Sequence, residues 1–264
     1  MSAYADRYDD SPFTAGQIDT PLAGREVVAA GIEDDPSLVL ARLANGEYDQ
    51  APVTRGERTI GWVRTTDLEA GSTVESAMTP LSETRIVAAS APMSQVLSLL
   101  DEGFVFTVRG EGLSGFITPS DLERHAARAH FYLLVAEIEM QLSSLVHHQA
   151  PESAIIAKIE RRTESQERWE AAKAANRDSR PVEYLYLSDL KRLFLRHVDS
   201  LPDHAARETL DDVVKLRTHV MHPTKPMLGE SGPSELARLD LEIRALRDHL
   251  GTLISEQVST NLVP

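Results

Sequence analysis

The sequence predicts two unlike halves: an α+β region made of two copies of one strand-rich motif, followed by an all-α helical bundle. Three observations lead there. Residues 34–68 and 90–122 can be laid over one another, and after Asp121 the apolar residues change from short strand-like runs to helical spacing. Charge is also divided unevenly: of the formal −14, residues 1–128 hold −10 (10 Arg, no Lys, 20 Asp or Glu) and residues 129–264 hold −4 (17 basic, 21 acidic). A chain of 264 residues is long enough for two modest cores.

The chain opens with "MSAYADRYDDSPF", acidic and without an apolar stretch, so residues 1–13 are expected to form a flexible tail. No apolar run approaches the roughly 18 residues of a membrane span, and the expectation is a soluble, cytoplasmic protein with no membrane partner. There is no cysteine, which removes disulfides, zinc–thiolate centres and thiol nucleophiles from consideration. An acidic surface repels phosphate backbones at long range, so broad nucleic-acid affinity is excluded while a small polyanion held in a pocket is not.

The repeat comes next. "DDPSLVLARLANGEYDQAPVTRGERTIGWVRTTDL" and "SAPMSQVLSLLDEGFVFTVRGEGLSGFITPSDL" each read as a Pro-led helix, a strand, a tight "RGE" turn, a second strand and a new helix start. Gly61 matches Gly115 and Asp67 matches Asp121. With the preceding "VESAMTPLSETRIVAAS", the pattern over residues 14–128 resembles a tandem pair of cystathionine-β-synthase-type (CBS) repeats, a module that often binds adenosyl nucleotides between its copies. The motif that carries the resemblance is "GFITPSDL". It implies that Thr118 and Asp121 hold a ribose diol, with Phe104 and Phe106 as a wall for adenine and Gly115 in the same motif. The implied ligand is AMP, ADP or ATP. In the first copy Asp67 is kept but Arg64 replaces the hydroxyl; Arg64 either reaches a ligand phosphate or is a solvated edge charge. The plain alternative for the second copy is that Asp121 is a helix N-cap and Thr118 an ordinary strand residue.

Five helices are expected beyond this. "FYLLVAEIEMQLSSLV" (131–146) is apolar almost all round and should be packed on several sides, and a nearly continuous helical run is expected from Asp121 onward. Residues 152–176 read as one charged helix with Ile155, Ile156, Ile159 and Trp169 on the buried side. Pro181 restarts the chain into a third, and Pro202 precedes a fourth that ends at "DDVVKLRTHVMHP". The last, 234–258, carries Leu236, Leu239, Ile243, Leu246, Leu250 and Ile254 at near-heptad intervals, as core or as a dimer seam.

In the fourth helix Leu210, Val213, Val214, Val220 and Met221 form a stripe, and Arg217 falls within it. "RTHVMH" followed by Pro, with the helical setting of residues 129–264, resembles the HEPN superfamily of small helical bundles, whose active members are metal-independent endoribonucleases that work as dimers. On one straight helix Arg217 and His222 would point roughly 140° apart, so they converge only if the helix ends, and Pro223 favours that. The resemblance implies Arg217 for phosphate charge, His222 for proton transfer, a homodimer, RNA as substrate and no metal. The alternatives are a structural ion pair of Arg217 with Asp189, Asp211 or a partner's carboxylate, and His222 as a C-terminal cap. Thr218, where active members carry Asn, Asp or His, favours a non-catalytic, nucleotide-responsive adaptor or dimerisation protein; a toxin-like bundle silenced by a partner protein is a third reading.

Overall fold

The computed structural model describes residues 12–22, 28–68, 72–100, 103–198, 204–229 and 232–261. The expected tail falls outside them except for Pro12 and Phe13, and so does Pro202. The described residues divide into two compact units: 12–127 with 232–234, and 128–229 with 235–261. The first is mixed α/β and the second helical.

The first unit contains two four-stranded sheets of identical topology. One has the order β5-β4-β3-β2, from Thr79–Pro80, Arg58–Arg64, Gln50–Arg55 and Ala30–Gly31; the other has β1-β8-β7-β6, from Thr20–Pro21, Gly112–Ile117, Val105–Arg109 and Arg85–Ala88. In each, a parallel pair is joined by a helix, α1 (Pro36–Asn45) or α3 (Met93–Leu97), and is followed by an antiparallel hairpin. Asp35 starts α1 by accepting from the Ser37 N–H at 2.7 Å, with Pro36 pre-set for the first helical position. Both hairpins turn on a glycine of the "RGE" triplet, Gly56 (φ +60°) and Gly110 (φ +65°), where a side chain would be strained. Both carry a register shift one strand pair away, at Val53/Thr54 and Thr107/Val108.

Each sheet borrows its antiparallel edge from the start of the other copy. Thr20-Pro21-Leu22 adds β1 to the second-copy hairpin, and Thr79-Pro80-Leu81, after α2 (Val74–Ala77), adds β5 to the first. The match extends backward, since Thr14 and Thr73 both close capping boxes three residues long. This exchange explains why Gly61 and Gly115 agree. A Cβ on Gly61 would lie 2.3 Å from the Thr79 carbonyl oxygen, and one on Gly115 would lie 2.8 Å from that of Thr20.

The first copy has its own core of Val39, Leu43, Ala51, Val53, Val63, Leu68 and Val74. A separate cluster joins the copies: Trp62, Phe104 and Phe106, flanked by Leu22, Leu81, Leu113 and Phe116. The Phe104 ring stacks on Trp62 (5.0 Å, 5° between planes) and on Phe116 (5.0 Å, 13°).

The second unit has six helices among its described residues: α4 (His125–Gln149, beginning three residues before the unit boundary), α5 (Glu152–Ile159), α6 (Thr163–Ala174), α7 (Leu187–His197), α8 (His204–Met221) and α9 (Pro233–Asn261). Three expectations are corrected. The helix expected over 152–176 is two, because Arg162 is extended (φ −127°, ψ 108°) while its side chain lies over the Tyr186 ring and donates to Asp189 at 2.6 Å. Trp169 is only half-buried, with the Lys173 ammonium over its ring, and Ser165 and Ala172 face inward instead. And α4 is not covered all round: Phe131, Leu134, Val135, Ile138, Leu142 and Leu145 are buried, while Tyr132, Leu133 and Met140 are exposed.

The long helices α4 and α9 run in the same direction, as contacts between them show. His130 meets Asp240, and seven residues on Glu137 meets Arg247. Leu236, Leu239, Ile243, Leu246 and Leu250 are buried as expected, but Leu253 rather than Ile254 continues the stripe.

Candidate functional site

Thr118 ends β8 and caps a 3-10 turn, Pro119–Glu123, whose third residue is Asp121. Asp121 reaches back across the turn. Its Oδ2 accepts from the Thr118 N–H (2.7 Å) and the Thr118 hydroxyl (2.9 Å), completing a capping box. Its Oδ1 faces the Arg124 guanidinium at 2.8 Å and the Thr20 hydroxyl at 3.5 Å. Asp121 is buried, and burial pushes its carboxyl above the ordinary carboxylate value, outweighing the hydrogen bonds from Thr118 and the Arg124 charge, which pull it down. Thr118 is half-buried, with its hydroxyl also 2.9 Å from that of Ser120.

Arg124 is the residue that sequence reasoning missed. Its Nη1 donates to the carbonyls of Ile18 and Asp19, both at 2.7 Å, and its Nη2 to the Thr20 hydroxyl at 2.7 Å. These bonds tie the turn to the borrowed edge strand and hold Arg124 extended (φ −67°, ψ 155°), so the helical run expected from Asp121 is broken before α4. Asp121 therefore does not cap a long helix; Thr118 caps a short one.

The first copy is built differently at the same place. Asp67 is exposed and, among the described residues, accepts from its neighbour Thr66 at 3.3 Å, in a 3-10 turn of three residues. Arg64 is exposed and lays its guanidinium 4.8 Å from the centre of the Trp62 ring. Phe104 and Phe106, expected as a wall for adenine, are packed against the other aromatic rings. They are 3% and 0% exposed, with Phe104 stacked on Trp62 and Phe116 and edge-on to Phe106. Gly115 serves strand pairing, since Asp19 and Thr20 fill the space a side chain would need.

In the helical unit the buried face of α8 is Leu210, Val213, Leu216 and Val220. Leu216 was absent from the expected stripe, Val214 is half-buried and Met221 is exposed, so Arg217 lies at the edge of the apolar face and not within it. Its Nε donates to Oε2 of Glu139 on α4 at 3.3 Å. The expected carboxylates are engaged elsewhere: Asp189 with Arg162 and Arg192, Asp211 with Lys191. α8 ends at Met221, and His222 is exposed just beyond it. The end is capped by Arg128 of α4, which is 8% exposed and donates to the carbonyls of His219, His222 and Lys225. His219 turns its Nδ1 to the Pro226 carbonyl at 2.8 Å.

A second polar group that the apolar pattern concealed lies between α4 and α9. His130 Nε2 is 2.7 Å from Asp240 Oδ1, with both side chains 2% exposed, and Arg244 donates to Asp240 Oδ2 at 2.9 Å. Burial alone would raise the Asp240 carboxyl, but the hydrogen bonds from His130 and Arg244 bring it below its ordinary value. Among the described residues no group of three or more His, Asp or Glu is placed to hold a metal ion, and no helix is long and apolar enough to cross a membrane.

No protein-family model matches the chain, and no curated protein matches it. Solved structures are similar to part of it. A CBS-pair protein, CBSX2 from Arabidopsis thaliana, is 21% identical, covering 44% of this chain and 96% of its own, at a TM-score of 0.39. The same protein in complex with AMP gives 21%, 44% and 98% at 0.39. The CBS domain of a bacterial CNNM/CorC family Mg2+ transporter in complex with ATP is 23% identical, covering 42% of this chain and 84% of its own, at 0.37.

Proposed function

We propose that the chain is a regulatory protein in which residues 14–128 bind an adenine nucleotide and the helical residues 129–264 act as the responding partner. The observation that carries this reading is the asymmetry between two otherwise matching copies. In the second, the hydroxyl at the strand end meets a buried carboxylate, Thr118 and Asp121 at 2.9 Å; in the first an exposed arginine, Arg64, stands in the place of that hydroxyl, and the exposed Asp67 is met by its neighbour Thr66 at 3.3 Å. A buried carboxylate that burial has made reluctant to ionise is eased by added O–H donors, which a ribose diol supplies. Arg64, exposed at the matching place of the first copy, supplies the positive charge that the phosphate end of the ligand would meet. Calorimetry with AMP, ADP, ATP and S-adenosylmethionine is the test. At least one should bind, and Thr118→Val should weaken it about 5- to 10-fold, the scale of one neutral hydrogen bond. Indifference to all four compounds removes the sensor.

A second reading, a dimeric metal-independent endoribonuclease using Arg217 and His222, is favoured by one observation: the His222 side chain is exposed where α8 ends, one residue before Pro223. The Glu139 carboxylate on Arg217 weighs against it, because it neutralises the cation that a phosphate would need. RNA cleavage that persists in EDTA and disappears in His222→Ala would establish this reading; its absence with and without nucleotide leaves the regulatory protein.

A further inference from the structure

The helical unit contains a cavity of about 450 Å3 between α4, the 3-10 turn Pro181–Tyr184 and α7. That lies within the range of about 300–1,000 Å3 in which small-molecule sites fall. Its apolar lining is Val182, Leu185 and Leu190 with the exposed Met140. The rest of the lining is two hydroxyls, two carboxylates and one guanidinium.

The hydroxyls are unusual for this protein. In α8 and α9, Thr209, Thr252, Ser255 and Ser259 each donate to the carbonyl four residues back, at 2.9–3.0 Å. Ser143 and Ser144, on α4, make no such bond, nor any other side-chain hydrogen bond among the described residues. Glu139 uses Oε2 for Arg217, and Glu183 uses Oε1 for the Arg180 Nε at 3.0 Å, so each carboxylate keeps an oxygen in hand. Arg180 gives only its Nε to that pair; its side chain is 55% exposed, with both terminal nitrogens open to a ligand.

We infer that this cavity binds a zwitterion of amino-acid or dipeptide size with an apolar side chain. The charges select that class. An anion alone would meet the two glutamates, and an amine alone would meet Arg180. A molecule carrying both satisfies all three: its carboxylate takes the terminal nitrogens of Arg180 and the serine hydroxyls, its ammonium takes the oxygens of Glu139 and Glu183 that Arg217 and Arg180 leave, and its side chain covers Val182, Leu185 and Leu190. The site shares no residue with the Thr118–Asp121 turn and does not rest on the nucleotide reading.

The test is calorimetry of the full chain with L-leucine, L-methionine and leucyl-leucine, against 3-methylbutylamine and 4-methylpentanoate, which keep one charge each. At least one zwitterion should bind, and the two single-charge analogues should bind at least about 10-fold more weakly, the loss expected when one charged group is left without its partner. Arg180→Gln, at an exposed position outside any helix, should weaken the zwitterion about 10-fold or more, and Ser143→Ala with Ser144→Ala about 5- to 10-fold. Both variants should keep the wild-type melting temperature, alanine being the better helix former. No heat with any zwitterion at millimolar concentration overturns the inference, as does equal binding of the amine alone or unchanged affinity in Arg180→Gln.

Discussion

The Nε of Arg217 lies 3.3 Å from Oε2 of Glu139, an ion pair across α8 and α4 in which the side chains are 35% and 30% exposed. An arginine read from sequence as stranded in an apolar seam is thus satisfied within one chain and partly by water. The need for a second copy to complete it falls away with that.

The stability consequence follows from exposure. A pair this open is worth little, about 0–1 kcal/mol, because water screens it and two long side chains are ordered to make it. Glu139→Gln should therefore lower unfolding free energy by no more than about 1 kcal/mol in urea titration. A loss of about 3 kcal/mol or more would mean that Arg217 is held in a dry interior after all.

The His130–Asp240 pair should behave in the opposite way. With both side chains 2% exposed, His130→Ala leaves a buried carboxylate with Arg244 alone and should cost about 3–5 kcal/mol. The pH dependence has a definite sign. The folded-state value of Asp240 lies below the ordinary 3.8, so its contribution is present above 3.8 and is lost as pH falls through the lower, folded value. Acid titration of unfolding should show this loss in wild type and not in Asp240→Asn.

The glycines of the two hairpins give a graded pair. Gly61→Ala places a methyl 2.3 Å from the Thr79 carbonyl oxygen and 2.7 Å from Met78, whereas Gly115→Ala meets the Thr20 carbonyl at 2.8 Å and the Asp19 carboxylate at 2.7 Å. Overpacking against backbone costs about 1–3 kcal/mol, and Gly61→Ala should lie at or above the upper end with Gly115→Ala below it. Thermal unfolding of the two variants side by side tests the order; equal melting temperatures would mean that the edge strands can shift aside.

Much of the first unit could be read from residue order, because its rules are local. The "RGE" turns fix two hairpins, and the Gly61–Gly115 and Asp67–Asp121 matches mark equivalent ends. What escaped was pairing at a distance: Thr20-Pro21-Leu22 and Thr79-Pro80-Leu81 are too short to read as strands, and they become strands only against the other copy's hairpin. The aromatic residues escaped for a related reason. A Phe in a strand looks the same whether it lines a cleft or stacks between Trp62 and Phe116, and only the packing of the two copies decides. In the helical unit the apolar period located the helices but not the polar groups set among them. Arg128, His130 and Asp240 are buried because each meets a partner about a hundred residues away, which spacing along one helix cannot reveal.

The exchanged edge strands also set an order for synthesis. Thr20 and Asp121, which meet at 3.5 Å, are 101 residues apart, and β1 has no sheet to join until β8 exists. As the chain leaves the ribosome, the first sheet has all four of its strands once Thr79–Pro80 has emerged, whereas β1 waits unplaced until β8, near the end of the α/β region, is made and the second sheet can close. A stalled or truncated product ending between the copies would expose both the unpaired Thr-Pro-Leu segment and the aromatic face around Trp62, which makes such a fragment a substrate for chaperones or proteolysis and not a half-sized working module.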